Sequence, residues 1–108
     1  MGHVLILDSD SAHAAELAHR LQAASCRTTV CSERQQACDI LRKQQVDIAI
    51  LVSDSATDWK SSAKWLRYAV SHLQDTPQFV CVLRGPYQGP SERLYGTRHG
   101  MRVIYENK

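Results

Sequence analysis

At 108 residues the chain is one domain, long enough for a real core but with little margin if part of its surface stays uncovered. Thirteen Lys and Arg against eleven Asp and Glu leave a formal charge of +2, too small an excess to point to nucleic acid. The opening "MGHVLILDSD" has an apolar run of only four residues after His3 and then acids, so a signal peptide or membrane span is not expected there, nor is myristoylation at Gly2. A cytoplasmic protein is expected.

Chain order gives short apolar runs alternating with helical patterns. "HVLIL" over 3–7 predicts a strand, and Asp8, Ser9 or Asp10 can cap the helix that follows. That helix carries Ala14, Leu17, Ala18 and Leu21 on one stripe. "RTTVC" over 27–31 predicts a second strand, then a helix capped by Ser32 with Ala37, Ile40 and Leu41 facing inward. "DIAILV" over 47–52 predicts a central strand, apolar on both faces.

After the loop "SDSAT" the spacing predicts the longest helix, from 58 to about 73, with Ser62, Trp65, Leu66, Ala69, Val70 and Leu73 inward and Trp59 partly exposed. "QFVCVL" over 78–83 predicts a fourth strand behind Pro77, and "RGPYQGP" over 84–90 a loop. A weak helix over 91–97 ends near Gly100, and "MRVIY" over 101–105 predicts a fifth strand. Strict alternation implies a doubly wound parallel α/β sheet. Its site lies at the carboxyl ends of the strands, at Asp8, Cys31, Val52 to Asp54, Arg84, and Tyr105 to Asn107.

Chemistry-bearing motifs are few. The histidines are scattered without metal-ligand spacing, and no nucleophile elbow, phosphate loop or dinucleotide fingerprint is present, so neither a metal nor a cofactor is expected. Cys26, Cys31, Cys38 and Cys81 form no CxxC pair and act as small apolar residues, the alternative being a redox pair of Cys26 with Cys31 or of Cys31 with Cys38. The basic bias of the last quarter, with Arg84, Arg93, Arg98, Arg102 and Lys108, is a solvated face.

"VLILDSD", "VDIAILVSDS", "TPQFVCVL" and "GMRVIY" together resemble the receiver domain of bacterial two-component response regulators, over almost the whole chain. The resemblance implies a five-stranded flavodoxin-like sheet of order 2-1-3-4-5 and a place in signal transduction. It also implies an acidic pair holding Mg²⁺, a carboxylate nucleophile at the end of the third strand, a hydroxyl after the fourth and a lysine after the fifth. An anionic nucleophile reaches a phosphoryl group only if cations neutralise the charge.

Set on that pattern, Asp8 matches the first acid, and Ser9 stands at the second, followed by Asp10. Val52 stands at the nucleophile position, with Asp54 two residues further out by roughly 6 to 7 Å. The hydroxyl position falls on Val82 to Arg84, and the lysine position on Glu106 or Asn107. A receiver also has a fifth helix, and none follows from "YENK", so an apolar strip over the third to fifth strands is expected to stand open.

The expectation is a pseudo-receiver spanning 1–108, whole or the N-terminal part of a longer regulator, without enzymatic activity. Its contacts are expected through Trp59, Arg102, Ile104 and Tyr105. The partner is a second copy, a following effector domain or another protein, and neither a membrane nor nucleic acid. The alternatives are an atypical phosphoacceptor using Asp54 or Asp8 with Mg²⁺, and a redox-responsive domain.

Overall fold

The computed structural model describes residues 2–54, 58–85 and 91–106. Its strands are the apolar runs: β1 His3–Leu7, β2 Arg27–Cys31, β3 Ile48–Ser53, β4 Gln78–Arg84 and β5 Met101–Glu106. All pair in parallel, in the order β2-β1-β3-β4-β5. The helices between them are α1 Ser11–Ala23, α2 Arg34–Lys43, α3 Asp58–Ala69 and α4 Ser91–Arg98. Among the described residues no helix follows β5.

Parallel register decides which side chains share a face. Val4 pairs with Ile48 and Ile6 with Ile50, and the same face continues through Val80, Val82, Arg102 and Ile104. The alternate residues Leu5, Leu7, Ala49, Leu51, Phe79, Cys81, Leu83, Met101 and Val103 look the other way, into the larger core formed with α2, α3 and α4. Each such aliphatic side chain taken from water contributes roughly 1.5–3 kcal/mol. A smaller cluster on the first face joins Val4 and Ile6 to Ala14 and Ala18 of α1.

The two faces are unequally covered. Leu17 and Leu21 of α1 are only half-buried and Ile104 is 44% exposed, but Val52 and Val82 are buried, so the open part of this face is narrower than the expected strip and lies at Val80, Arg102 and Ile104.

Of the three caps expected for α1, Asp10 is the one used, its Oδ1 accepting from the backbone N–H groups of Ala12 and His13 at 3.1 and 3.2 Å. Other local expectations shift. Glu33, not Ser32, occupies the cap of α2, because Gln36 reaches back to the Glu33 N–H and closes a capping box. α3 ends at Ala69 rather than near Leu73: Val70 and Ser71 donate to the carbonyls three residues back, a tighter turn that does not continue the helix.

Two glycines are needed where they stand. Gly100, with φ +69°, ends α4 in the left-handed conformation. At Gly96 a Cβ would lie 2.7 Å from Val103 Cγ2 and 2.9 Å from the Met101 carbonyl, which is how closely α4 lies on β5.

His3 belongs to the scaffold. Its Nδ1 lies 2.9 Å from the Gln45 carbonyl, which only accepts, so Nδ1 carries a proton, and its Nε2 lies 2.8 Å from the Thr29 hydroxyl. Its backbone N–H donates to Asp47 at 2.8 Å, tying the start of β1 to the start of β3.

Candidate functional site

The carboxyl ends of β1, β4 and β5 bring together a cluster that sequence spacing does not show. Asp8, at the end of β1, is 3% exposed and accepts from the Asp10 N–H at 2.9 Å. Its other oxygen lies 2.5 Å from Nδ1 of His13 on the first turn of α1. The opposite nitrogen of the same ring, Nε2, lies 2.8 Å from Glu106 Oε1 at the end of β5. A ring bonded to a carboxylate at each nitrogen is placed to donate twice, which favours its imidazolium form.

Burial opposes that charge, but the hydrogen bonds to Asp8 and Glu106 outweigh it and hold the His13 pKa above its usual value. Arg84, at the end of β4, supplies the second cation. Its Nη1 donates to Asp10 at 3.0 Å, and its Nε lies 3.3 Å from Glu106 Oε1 without the alignment of a hydrogen bond. The His13 N–H bond and the Arg84 side chain together keep the Asp10 carboxyl below the usual carboxylate range. Three carboxylates and two cations thus interlock β1, α1, β4 and β5.

Neither Val82 nor Leu83 brings a hydroxyl to this end of the sheet, and Arg84 fills the remaining position. Val52 is buried beside Val82 in the β3–β4 ladder. A valine side chain cannot accept a phosphoryl group.

Asp54 is exposed and lines a separate cleft of about 260 Å³ with Ser9, Ser32, Arg34, Ser53 and Ser62. Asp8 is not part of that cleft, although the field of Asp54 still reaches Arg84. The predicted pocket residues are therefore divided: Asp8, Asp10, Arg84 and Glu106 form the ionic cluster, Ser9 and Asp54 line the cleft, and Val52 borders it. Ser55, Tyr87, Asn107 and Lys108 lie outside the described residues. Among the described residues no group of His, Cys, Asp and Glu side chains is arranged to hold a metal ion.

His13 was invisible to motif spacing because its second partner is 93 residues away. A signal existed nonetheless. With a carboxylate, Glu106, at the position where the resemblance places a lysine, the site needs a cation from elsewhere, and His13 lies one helical turn from the acidic end of β1.

Comparison with solved structures gives a response regulator from Thermotoga maritima at TM-score 0.80 and 14% identity, covering 98% of this chain and 85% of that one. The chemotaxis protein CheY4 of Vibrio cholerae gives 0.77 at 16% identity, covering 100% and 87%. This is the receiver fold. A third receiver domain, from a Pseudomonas aeruginosa sensor histidine kinase with magnesium coordinated in its active-site cleft, gives 0.72 at 17% identity, covering 99% and 84%. No protein-family model and no curated protein matches the chain.

Of the predicted contact residues, Arg102 and Ile104 lie on the open face of β5. Tyr105 points to the opposite face, half-buried against the larger core, with the Arg93 guanidinium 4.9 Å from its ring centre. Trp59 is a correction: it is fully buried, edge-on to Tyr95 at 5.2 Å, and cannot meet a partner. Trp65, expected in the core, is 49% exposed.

The cysteines are free, and three are buried. Burial pushes the Cys31 thiol up to about 11 and Cys81 up to about 12, and raises Cys38, so thiolate chemistry is suppressed at these positions. A thiol-specific reagent at neutral pH is expected to label Cys26 quickly and the other three only on unfolding. Loss of two thiols together under mild oxidation of the native protein would restore the redox alternative.

Proposed function

We propose that the chain is a phosphorylation-independent pseudo-receiver, a protein-interaction or dimerisation module in bacterial signalling or transcription control, with no enzymatic activity. The observation that carries this is His13 held between Asp8 and Glu106. A protonated His13 occupies the carboxylate that a metal ion would need, and Val52 offers no oxygen to an incoming phosphoryl group. The cluster acts as a fixed structural tie, and the interaction face is the open part of β5, Arg102 and Ile104, beside Val80 of β4.

Titration with Mg²⁺ and beryllofluoride, followed by amide NMR shifts, tests the proposal. The expected result is no saturable change at Asp8, Val52 or Asp54 up to millimolar Mg²⁺. Saturable shifts centred on Asp54 would overturn it in favour of an atypical phosphoacceptor. Light scattering on the same sample reads the self-association half of the proposal, since a monomer at high concentration removes the dimer and leaves a partner protein.

A further inference from the structure

We propose that the outer face of α3 docks an acidic peptide segment of a partner protein, anchored by an aromatic or branched aliphatic side chain. The inference is independent of whether the pocket at the strand ends takes a phosphoryl group, and it concerns a surface on the opposite side of the sheet from the open strip.

Helical spacing puts Ser61, Lys64, Trp65 and Tyr68 in one row, at i, i+3, i+4 and i+7. The row faces water: Trp65 is 49% exposed and Tyr68 74%, while the buried row Trp59, Ala63, Leu66 and Val70 runs along the other side of the helix. The four outer residues line a shallow, mainly apolar depression of about 390 Å³. Two large aromatics side by side on one exposed row are unusual on a surface with no occupant, and Trp and Tyr are the residue types that anchor interfaces.

Charge selects the partner. Arg34 of α2 reaches across to hydrogen-bond Ser61 at 3.3 Å, and its guanidinium lies 4.9 Å from the Trp65 ring centre. That contact holds the indole in place and sets a cation at its rim. Lys64 adds a second cation. Asp39, an exposed acid of α2, is engaged with Gln35 and Arg42. The face therefore presents aromatic area with the cations Arg34 and Lys64 at its rim, which fits carboxylates flanking an apolar anchor.

The test uses the full chain and a synthetic peptide rich in Glu with one Phe and one Leu, and a second peptide with every Glu replaced by Lys. The expected result is saturable binding of the acidic peptide alone, weakened by salt, read as a change in Trp65 emission and in the amide shifts of α3. Trp65→Ala is expected to abolish binding, and Lys64→Glu or Arg34→Glu to weaken it roughly tenfold, with circular dichroism unchanged. No saturable binding, or binding indifferent to Trp65→Ala and Lys64→Glu alike, overturns the proposal. So does tighter binding of oligo-dT through the same residues, which would make the face a nucleic-acid surface.

Discussion

Trp59→Ala is expected to cost about 4 kcal/mol of stability, and Trp65→Ala well under 1 kcal/mol. Trp59 is fully buried among the side chains of the larger core, with Tyr95 packed edge-on against it. Its removal leaves a cavity between α3 and α4 that a helix held as closely to β5 as α4 is at Gly96 cannot collapse to fill. Against the roughly 5–15 kcal/mol available to a small domain, the loss brings a protein with one half-covered sheet face near its unfolding threshold. Urea denaturation of the two variants, followed by circular dichroism, checks this. Equal losses would mean that α3 is rotated from the position described.

The same pair of residues shows where the amino-acid sequence stops being informative. Every strand of the sheet is legible, because a continuous apolar run of strand length bounded by Asp, Ser, Gly or Pro admits few alternatives. The helix over 58–69 is legible as a helix, but its facing is not. Trp59 and Leu66 are seven residues apart and so within about 20° of each other around the axis, while Trp65 lies about 100° from Leu66. Two apolar rows therefore compete, both containing a tryptophan. Only the packing of Ala63 and Val70 on the sheet and of Tyr95 on Trp59 decides between them.

The site divides in a similar way. The valine at the end of the third strand is legible residue by residue, since Val52 stands on a strand whose register follows from the apolar pattern. The ionic cluster beside it is not legible. The imidazolium tie needs an element of the first helix and the last residue of the last strand to meet, and only the sheet order brings β5 and β1 to opposite sides of β3 and β4 with their ends level.

Stability of the native chain is expected to fall as pH rises from about 6.5 through the raised folded pKa of His13, and His13→Gln is expected to remove that slope while costing about 3 kcal/mol at the lower pH. The sign follows from the raised pKa of His13. The folded state binds its proton more tightly than the unfolded chain, whose histidine titrates near about 6.5. The contribution is complete below that value and is lost as pH rises through the folded pKa. Asp10 works in the opposite sense: its lowered pKa adds stability above the usual carboxylate range, and this is lost as pH falls through its folded value.

The charged groups around the ring are Asp8, Asp10, Arg84 and Glu106, with Glu16 nearby paired to Arg20 at 2.6 Å. Glutamine at position 13 can donate to one carboxylate but carries no charge, so Asp8 stays buried with its partner neutral. Comparing the two proteins by urea denaturation between those pH values cancels the thiols, whose shifts are common to both. A native protein without the slope, or a variant that keeps it, would mean that the ring is neutral and bonds only one carboxylate at a time. Asp8 would then keep an oxygen able to accept a cation, and the case for a closed site would fail at the atom on which it rests.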